Sequence, residues 1–289
     1  MNNATDPLIY LNGCLTPRSE AKISVLDRGF LFGDGVYEVV PVYQRRLFRS
    51  DQHLARLFRG LSELRIANPH SKEEWLALIA QVVAVQEFDD QLIYLQVTRG
   101  ATSKRSHTFP NPPVPPTVFI MSSPWPTTFD AVRAQGVACV SLEDQRWLRC
   151  DLKTISLLGN VLAAQHAEDH DAVESIQFRD GYLTEGSATN VWIVKNGMLS
   201  GPNKDHLILE GIRYGLIEEL CHANAIPCET RKISREEVFA ADEIMISSAT
   251  KEILPVVSVD GQVIGEGKPG ALYAKLFAAY QRVKADLLK

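Results

Sequence analysis

Much of what would direct this chain to a membrane, a nucleic acid or an oxidising compartment is missing from it. No apolar run approaches the ~18–20 residues that a membrane-spanning helix needs. Basic residues do not dominate: 30 lysines and arginines face 35 aspartates and glutamates, a formal net charge of −5. No basic face for a nucleic acid is therefore expected. Cysteine is scarce, five residues at 14, 139, 150, 221 and 228, and no two form a Cys-x-x-Cys pair. That spacing suits neither a disulfide framework nor a zinc site, and a reduced cytoplasm is the expected setting. The first residues, Met1-Asn2-Asn3-Ala4-Thr5-Asp6, are polar and acidic, unlike a secretory leader. What remains is an ordinary globular composition, 45% hydrophobic and 22% charged over 289 residues. That length suits one large or two medium domains.

Strand and helix signals alternate along the chain. Residues 8–11 read as a strand entering a tight hairpin at Asn12-Gly13. Residues 35–43 are β-branched and aromatic, with a second arm at 46–49, and Pro41 marks an edge or bulged strand. A helix is predicted from Ser50 as N-cap, with Leu54, Leu57, Phe58, Leu61 and Leu64 on one face. A second starts at Ser71, where Glu74 completes a capping box and Trp75, Leu78, Ile79, Val82 and Val83 face inward. Strands at 92–98 and 118–121 flank a proline-crowded loop, 110–116. The division expected is a small N-terminal domain over 1–122, a linker over 123–133 and a C-terminal domain over 134–289. In the last, strands are predicted at 136–142, 174–178, 190–194 and 243–247, and helices at about 158–170, 211–224 and 269–287.

Several segments could carry chemistry. Lys153 ends the run Arg146-Trp147-Leu148-Arg149-Cys150-Asp151-Leu152-Lys153, just before an apolar stretch. Partial desolvation there would favour the neutral amine that attacks a carbonyl. Glu185 opens Glu185-Gly186-Ser187-Ala188-Thr189-Asn190, a turn of small hydrogen-bonding residues. A Schiff-base lysine and a carboxylate for a protonated ring nitrogen are two parts of a pyridoxal phosphate (PLP) site. By itself each is only a charged residue. Gly211 and Ile212, at a predicted helix start, and the Ser248-Ala249 turn after a strand are candidate anion seats. Arg56 reads by default as a surface cation. Arg105-Ser106-His107 could bind a carboxylate, or could be an exposed basic loop. His166 and His170 are spaced i, i+4, but the intervening acid is misplaced for a zincin, so no metal is expected.

Taken together, the segments Asp27 to Glu38, His53 to Leu57, Arg105 to Pro110, Arg146 to Lys153 and Glu185 to Asn190 resemble the fold-type IV PLP enzymes in order and spacing. Within them they look most like the D-amino acid transaminases. The resemblance implies an α/β (α+β two-domain) fold, with a small N-terminal α/β domain and a larger C-terminal pseudo-barrel. It implies Lys153 as Schiff base and proton shuttle, and Glu185 as partner of the pyridine nitrogen. Leu209 would lean on the ring. Arg56, Gly211, the amides of Ile212 and Arg213, and the Ser248–Ala249 turn would hold the phosphate. Tyr37, Arg105 and His107 would trap the substrate α-carboxylate, the last two reaching in from a partner subunit, so the active unit would be a homodimer. The implied reaction is D-alanine plus 2-oxoglutarate giving pyruvate plus D-glutamate, by two ping-pong half-reactions on D-amino acids and 2-oxo acids. Branched-chain or R-amine transfer on the same fold is the alternative. A silent PLP binder and a zinc hydrolase on His166 and His170 are rivals of other classes. Two positions depart from the family pattern: Arg213 and Ala249 stand where many relatives have threonine. The Arg213 side chain could replace the missing hydroxyls, or could point to solvent with only its amide in use.

Overall fold

In the computed structural model of the chain, which describes residues 6–126 and 128–289, Asn12-Gly13 turns as its composition demands. Both have positive φ, 48° and 102°. They pair β1 (Leu8–Leu11) with β2 (Cys14–Pro17) at Leu11 and Cys14. Residues 1–5, from the polar N-terminus, and Thr127, from the expected linker, lie outside the described residues. The chain forms two compact units. The first runs through Trp125 and also takes in Leu152–Leu157; the second comprises Pro126–Asp151 and Leu158–Leu287. Lys153 therefore packs with the first unit.

The first unit continues with α1 (Arg28–Phe32), β3 (Gly35–Tyr43), β4 (Arg46–Leu47), α2 (Ser50–Glu63), α3 (Lys72–Ala84), β5 (Gln91–Thr98) and β6 (Thr117–Pro124). Its sheet is antiparallel throughout, in the order β2-β1-β6-β5-β3-β4. Side chains alternate across β3. Val36, Val40 and Val42 enter a core with Leu54, Leu57 and Leu61 of α2 and Trp75, Ile79 and Val82 of α3. Each such buried apolar side chain contributes roughly 1.5–3 kcal/mol. The alternation puts Glu38 on the helix side and Tyr37 on the other face. Contrary to expectation, β3 is neither an edge nor bulged at Pro41: it lies between β5 and β4, with Pro41 in register with Leu92. Phe48 N donates to Pro41 O at 2.8 Å just past the two-residue β4, so the short neighbour limits what the missing proline N–H costs. The Ser71–Glu74 capping box of α3 forms as predicted. The start of α2 differs from expectation. Its N-cap is Arg49, left-handed at φ 57° with no side-chain cap, because the chain leaves the β3–β4 hairpin directly into the helix.

The second unit contains α4 (Thr128–Val132), β7 (Val137–Glu143), α5 (Leu158–Glu168), β8 (Glu174–Arg179), β9 (Tyr182–Gly186), β10 (Asn190–Lys195), β11 (Met198–Gly201), α6 (Ile212–Ala223), β12 (Cys228–Thr230), α7 (Arg235–Phe239), β13 (Glu243–Ser248), β14 (Glu252–Val259), β15 (Gln262–Val263) and α8 (Ala271–Leu287). Its sheet runs β12-β11-β10-β13-β14-β7-β8-β9, with β15 on β14. In that order β9 lies five strands from β10, about 24 Å in a flat sheet. Yet only residues 187–189 join Gly186 to Asn190, a span of about 14 Å at most. The sheet must therefore curl, and Gly186 N donates to Thr189 O at 2.7 Å where it does. The curl encloses Ile176, Phe178, Val191, Ile193, Ile244, Ile246 and Leu254. No helix among the described residues is long and apolar enough to cross a membrane.

Candidate active site

Lys153 is held by backbone pairing rather than by a helix. Tyr37 N donates to Lys153 O at 3.0 Å, Thr154 bridges Val36, and Ile155 N donates to Gly35 O at 3.1 Å. Residues 153–155 thus lie extended along the start of β3, and α5 begins only at Leu158. The neighbour that shields the half-buried amine is the Tyr37 ring, with Nζ 3.9 Å from its centroid. Such a cation–π contact holds the amine by about 0.5–2 kcal/mol. Tyr37 in turn stacks on Tyr94 at 5.5 Å. Lys153 and Tyr37, predicted apart in sequence, are together in space.

Glu185 ends β9 in the second unit, its side chain 7% exposed. One carboxylate oxygen accepts from Arg146 Nη1; the other accepts from Leu209 N at 3.0 Å and Asn190 Nδ2 at 3.3 Å. Arg146 is shared. Its Nε and Nη2 donate to Asp144 at 3.0 and 2.9 Å. Asp144 also accepts from Thr184 Oγ1 and pairs with Arg179. Burial pushes the Glu185 carboxyl up to about 7, against the opposing pull of Arg146 and the Leu209 amide, and the nearby Asp144 charge adds to the rise. This is a positioned carboxylate short of positive charge.

Asn190 joins Glu185 to the anion seats. Its Nδ2 also donates to Leu209 O at 2.8 Å, and its Oδ1 accepts from Gly211 N at 3.2 Å. A Cβ on Gly211 would collide with that Oδ1, so any other residue would have to displace the Asn190 amide. Gly211 caps α6 without a side chain, leaving the first amides, Ile212 and Arg213, as a helix start suited to an anion. Asn190 pairs with Ser247 across β10 and β13, which places Ser248 nearby. Ser248 Oγ accepts from Lys251 N at 3.0 Å in the turn that follows. A cation-seeking carboxylate and an anion-seeking helix start thus stand side by side, the complementary needs of a protonated heterocycle carrying a phosphate.

Comparison with known proteins agrees with this chemistry. Residues 35–259 match the model of the class IV amino-transferases. The chain belongs to the class IV amino-transferase family. The D-alanine aminotransferase of Bacillus licheniformis is 37% identical over 276 residues, covering 94% of this chain and 95% of the relative. That of Staphylococcus aureus (strain N315) is 36% identical over 274 residues, covering 95% and 96%. Among solved structures, a T.th. branched-chain amino acid aminotransferase complexed with N-(5'-phosphopyridoxyl)-L-glutamate superposes with a TM-score of 0.88 at 25% identity, covering 96% of this chain and 93% of its own. The branched-chain enzyme from Escherichia coli gives 0.86 at 25% identity, with the same coverage. The two-domain α/β fold of these enzymes is the fold described above.

Of the other expected residues of the aminotransferase, Arg56 and Arg213 are enclosed and Arg105 and His107 lie on an exposed loop. Arg56 is no surface cation: its side chain is 10% exposed and forks onto Glu38, Nε to Oε1 at 2.7 Å and Nη2 to Oε2 at 2.8 Å. His53 Nδ1 lies 2.8 Å from the same carboxylate. Burial alone would raise Glu38, but the Arg56 charge and the hydrogen bonds of Arg56 and His53 outweigh it and bring the carboxyl to about 2. Arg213 does not point to solvent. It is 1% exposed, with its guanidinium 5.8 Å from the Tyr280 ring of α8. Arg105 and His107 are exposed and share the face of Phe32, at 5.0 and 5.3 Å. Sequence reasoning missed Arg146, Asp144 and Asn190 as site residues. Asp144 and Arg146 stand among Glu143, Gln145, Arg149 and Asp151, so nothing local marks them; Asn190 was visible only as the end of the turn that Glu185 opens.

Proposed function

We propose that this aminotransferase exchanges amino groups between D-amino acids and 2-oxo acids, D-alanine plus 2-oxoglutarate giving pyruvate plus D-glutamate, with PLP as cofactor. The observation that carries amino transfer is the buried, under-compensated Glu185 beside the glycine-capped start of α6. The choice of D over L rests on the likeness to D-alanine aminotransferases and on the Arg105-x-His107 segment. When bound, PLP supplies an electrophilic carbonyl carbon and an electron-accepting ring. Lys153 Nζ is the amine that would hold the cofactor and, once released by substrate, would take up the proton from substrate Cα. Glu185 keeps a proton on the ring nitrogen, with Arg146, Asn190 and the Leu209 amide fixing its direction. Leu209 supports the ring. Arg56, oriented by Glu38, binds the phosphate with Gly211, the Ile212 and Arg213 amides and the Ser248–Ala249 turn. The Arg213 guanidinium makes up for the hydroxyls absent at positions 213 and 249. Tyr37, Arg105 and His107 hold the substrate carboxylate.

The working unit is a cytoplasmic homodimer in which Arg105 and His107 serve the neighbouring site. An exposed apolar face on α5 supports this: Leu158, Val161 and Leu162, at i, i+3 and i+4, are 72, 58 and 63% exposed. Lys153→Ala should abolish the cofactor's lysine-linked absorbance and lower turnover by roughly a thousandfold or more. Turnover at the wild-type rate would overturn the assignment. Half-reactions with D-alanine, L-alanine and L-leucine separate this reading from branched-chain transfer: L-leucine reacting faster than D-alanine would replace it. Arg213→Ala with unchanged cofactor affinity would remove the compensating role of that side chain.

A further inference from the structure

The loop that carries Arg105 and His107 has no strand or helix of its own, and such loops are by default the mobile part of a fold. Here three successive carbonyls of that loop are gripped by one side chain. Arg28, the first residue of α1, donates from Nη1 to Ser106 O at 2.5 Å and to Thr108 O at 3.2 Å, and from Nη2 to His107 O at 3.2 Å. Its Nε donates to Asp34 Oδ2 at 2.7 Å. Arg99 donates to the same carboxylate from Nε at 2.8 Å and Nη2 at 2.9 Å. Arg99 also ties α2's end, donating to Leu64 O and Arg65 O. The arginine side chains are 4% and 8% exposed, and that of Asp34 is 13% exposed. This is a closed network whose outer edge is the loop backbone. Four residues along from Arg28, Phe32 offers its ring to the loop's side chains: Arg105 Cζ at 5.0 Å, the His107 ring at 5.3 Å, and Arg28 Cζ itself at 4.9 Å.

We propose that Arg28 and Phe32 are positioning residues for carboxylate recognition: Arg28 fixes the backbone of the 105–108 loop and Phe32 fixes the directions of Arg105 and His107, so that both donors are pre-set for a substrate α-carboxylate. The proposal rests on the assignment of Arg105 and His107 as the carboxylate trap. Neither Arg28 nor Phe32 touches substrate. A fork of N–H donors in a fixed plane suits adjacent carbonyls in a way that a lysine ammonium cannot copy. Pre-set donors spare the binding step the ordering of two long side chains, which otherwise weakens it.

A role confined to the trap should follow the carboxylate and spare the chemistry. The test is a single-turnover half-reaction of the PLP-loaded enzyme with D-alanine and with D-alaninol, which lacks the carboxylate. Arg28→Gln is expected to raise the half-saturating D-alanine concentration roughly ten- to hundredfold, with D-alaninol changed less than about threefold. Arg28→Lys should restore little. Phe32→Leu keeps the Arg28–Asp34 network and tests the same idea on a half-buried residue if Arg28→Gln fails to fold; it should raise the D-alanine value about three- to tenfold. Equal losses with both substrates, or no loss with either, would overturn the proposal. Arg105→Gln is the separate control: an unchanged D-alanine value there would show the trap assignment itself to be wrong, whatever Arg28 does.

Discussion

The two units each bury a glutamate against an arginine, and the two carboxyls move in opposite directions. Glu38 falls to about 2, whereas Glu185 rises to about 7. Both side chains are below 10% exposed, so burial does not separate them. The division of the arginine does. Arg56 gives a full fork to Glu38, and His53 adds a third donor. Arg146 gives its fork to Asp144 and only one nitrogen to Glu185, while Asp144 adds a like charge close by. A satisfied buried ion pair is an orienting strut. A carboxylate whose arginine is shared with a second acid has room for a further cation, and in the proposed function that cation is the protonated ring of the cofactor.

The largest expected effect comes from removing that carboxylate. If Glu185 partners the ring nitrogen as proposed, Glu185→Gln should cut kcat by about a hundred- to a thousandfold. Steady-state turnover with D-alanine measures it, and an unimpaired variant would leave the contrast without functional meaning. Next is the strut. Glu38→Gln takes the counter-charge away from Arg56 and His53 in the interior, and should destabilise the protein by about 3–5 kcal/mol in denaturant unfolding. A change below about 1 kcal/mol would show that the pair carries little of the fold.

The pH dependence of stability sharpens the contrast, because the two groups act in adjoining windows with opposite signs. Glu38 is lowered from its ordinary 4.5 to about 2, so between those values the unfolded chain binds more protons. Its contribution, of order 3 kcal/mol, is present above pH 4.5 and is lost as pH falls toward 2. Glu185 is raised from 4.5 to about 7, so there the folded protein binds more protons. In cofactor-free protein its contribution, of similar order, is present below pH 4.5 and is lost as pH rises to about 7. Unfolding of the cofactor-free protein should therefore show a rising limb that Glu38→Gln flattens and a falling limb that Glu185→Gln flattens. A falling limb that survives Glu185→Gln would assign it elsewhere. The smallest effect expected is that of Asp144→Asn, which frees Arg146 for Glu185 and should shrink the falling limb by about 1 kcal/mol. A steeper limb would reverse the account of Arg146.

How much of this could be read from the residues follows how local each signal is. The hairpin at Asn12-Gly13 and the Ser71–Glu74 capping box involve neighbours in sequence and were legible. The cap of α2 was not, because Arg49 is forced into the left-handed region by the preceding hairpin and not by its own chemistry. Lys153 was legible as a candidate, but its address on β3 depends on pairing with residues 35–37, more than a hundred positions away. Asp144 and Arg146 look like surface charges in the sequence; only the curl of the second sheet shows that they are enclosed. The likeness of Lys153, Glu185, Arg105 and His107 to a family motif offered candidates that periodicity could not.

One consequence of the Arg28 contacts reaches beyond catalysis. Arg28 grips oxygens of the main chain at positions 106, 107 and 108, and every amino acid offers the same oxygen there. The grip is blind to what those positions carry. Substitutions at 106 and 108 would cost the 2.9 Å hydrogen bond between the Ser106 and Thr108 hydroxyls, but they can change the size and polarity of the loop's surface while leaving the Arg28 grip in place. A library varied at those positions, with Arg28, Phe32 and Asp34 kept, would explore substrate preference on a loop whose path is already fixed.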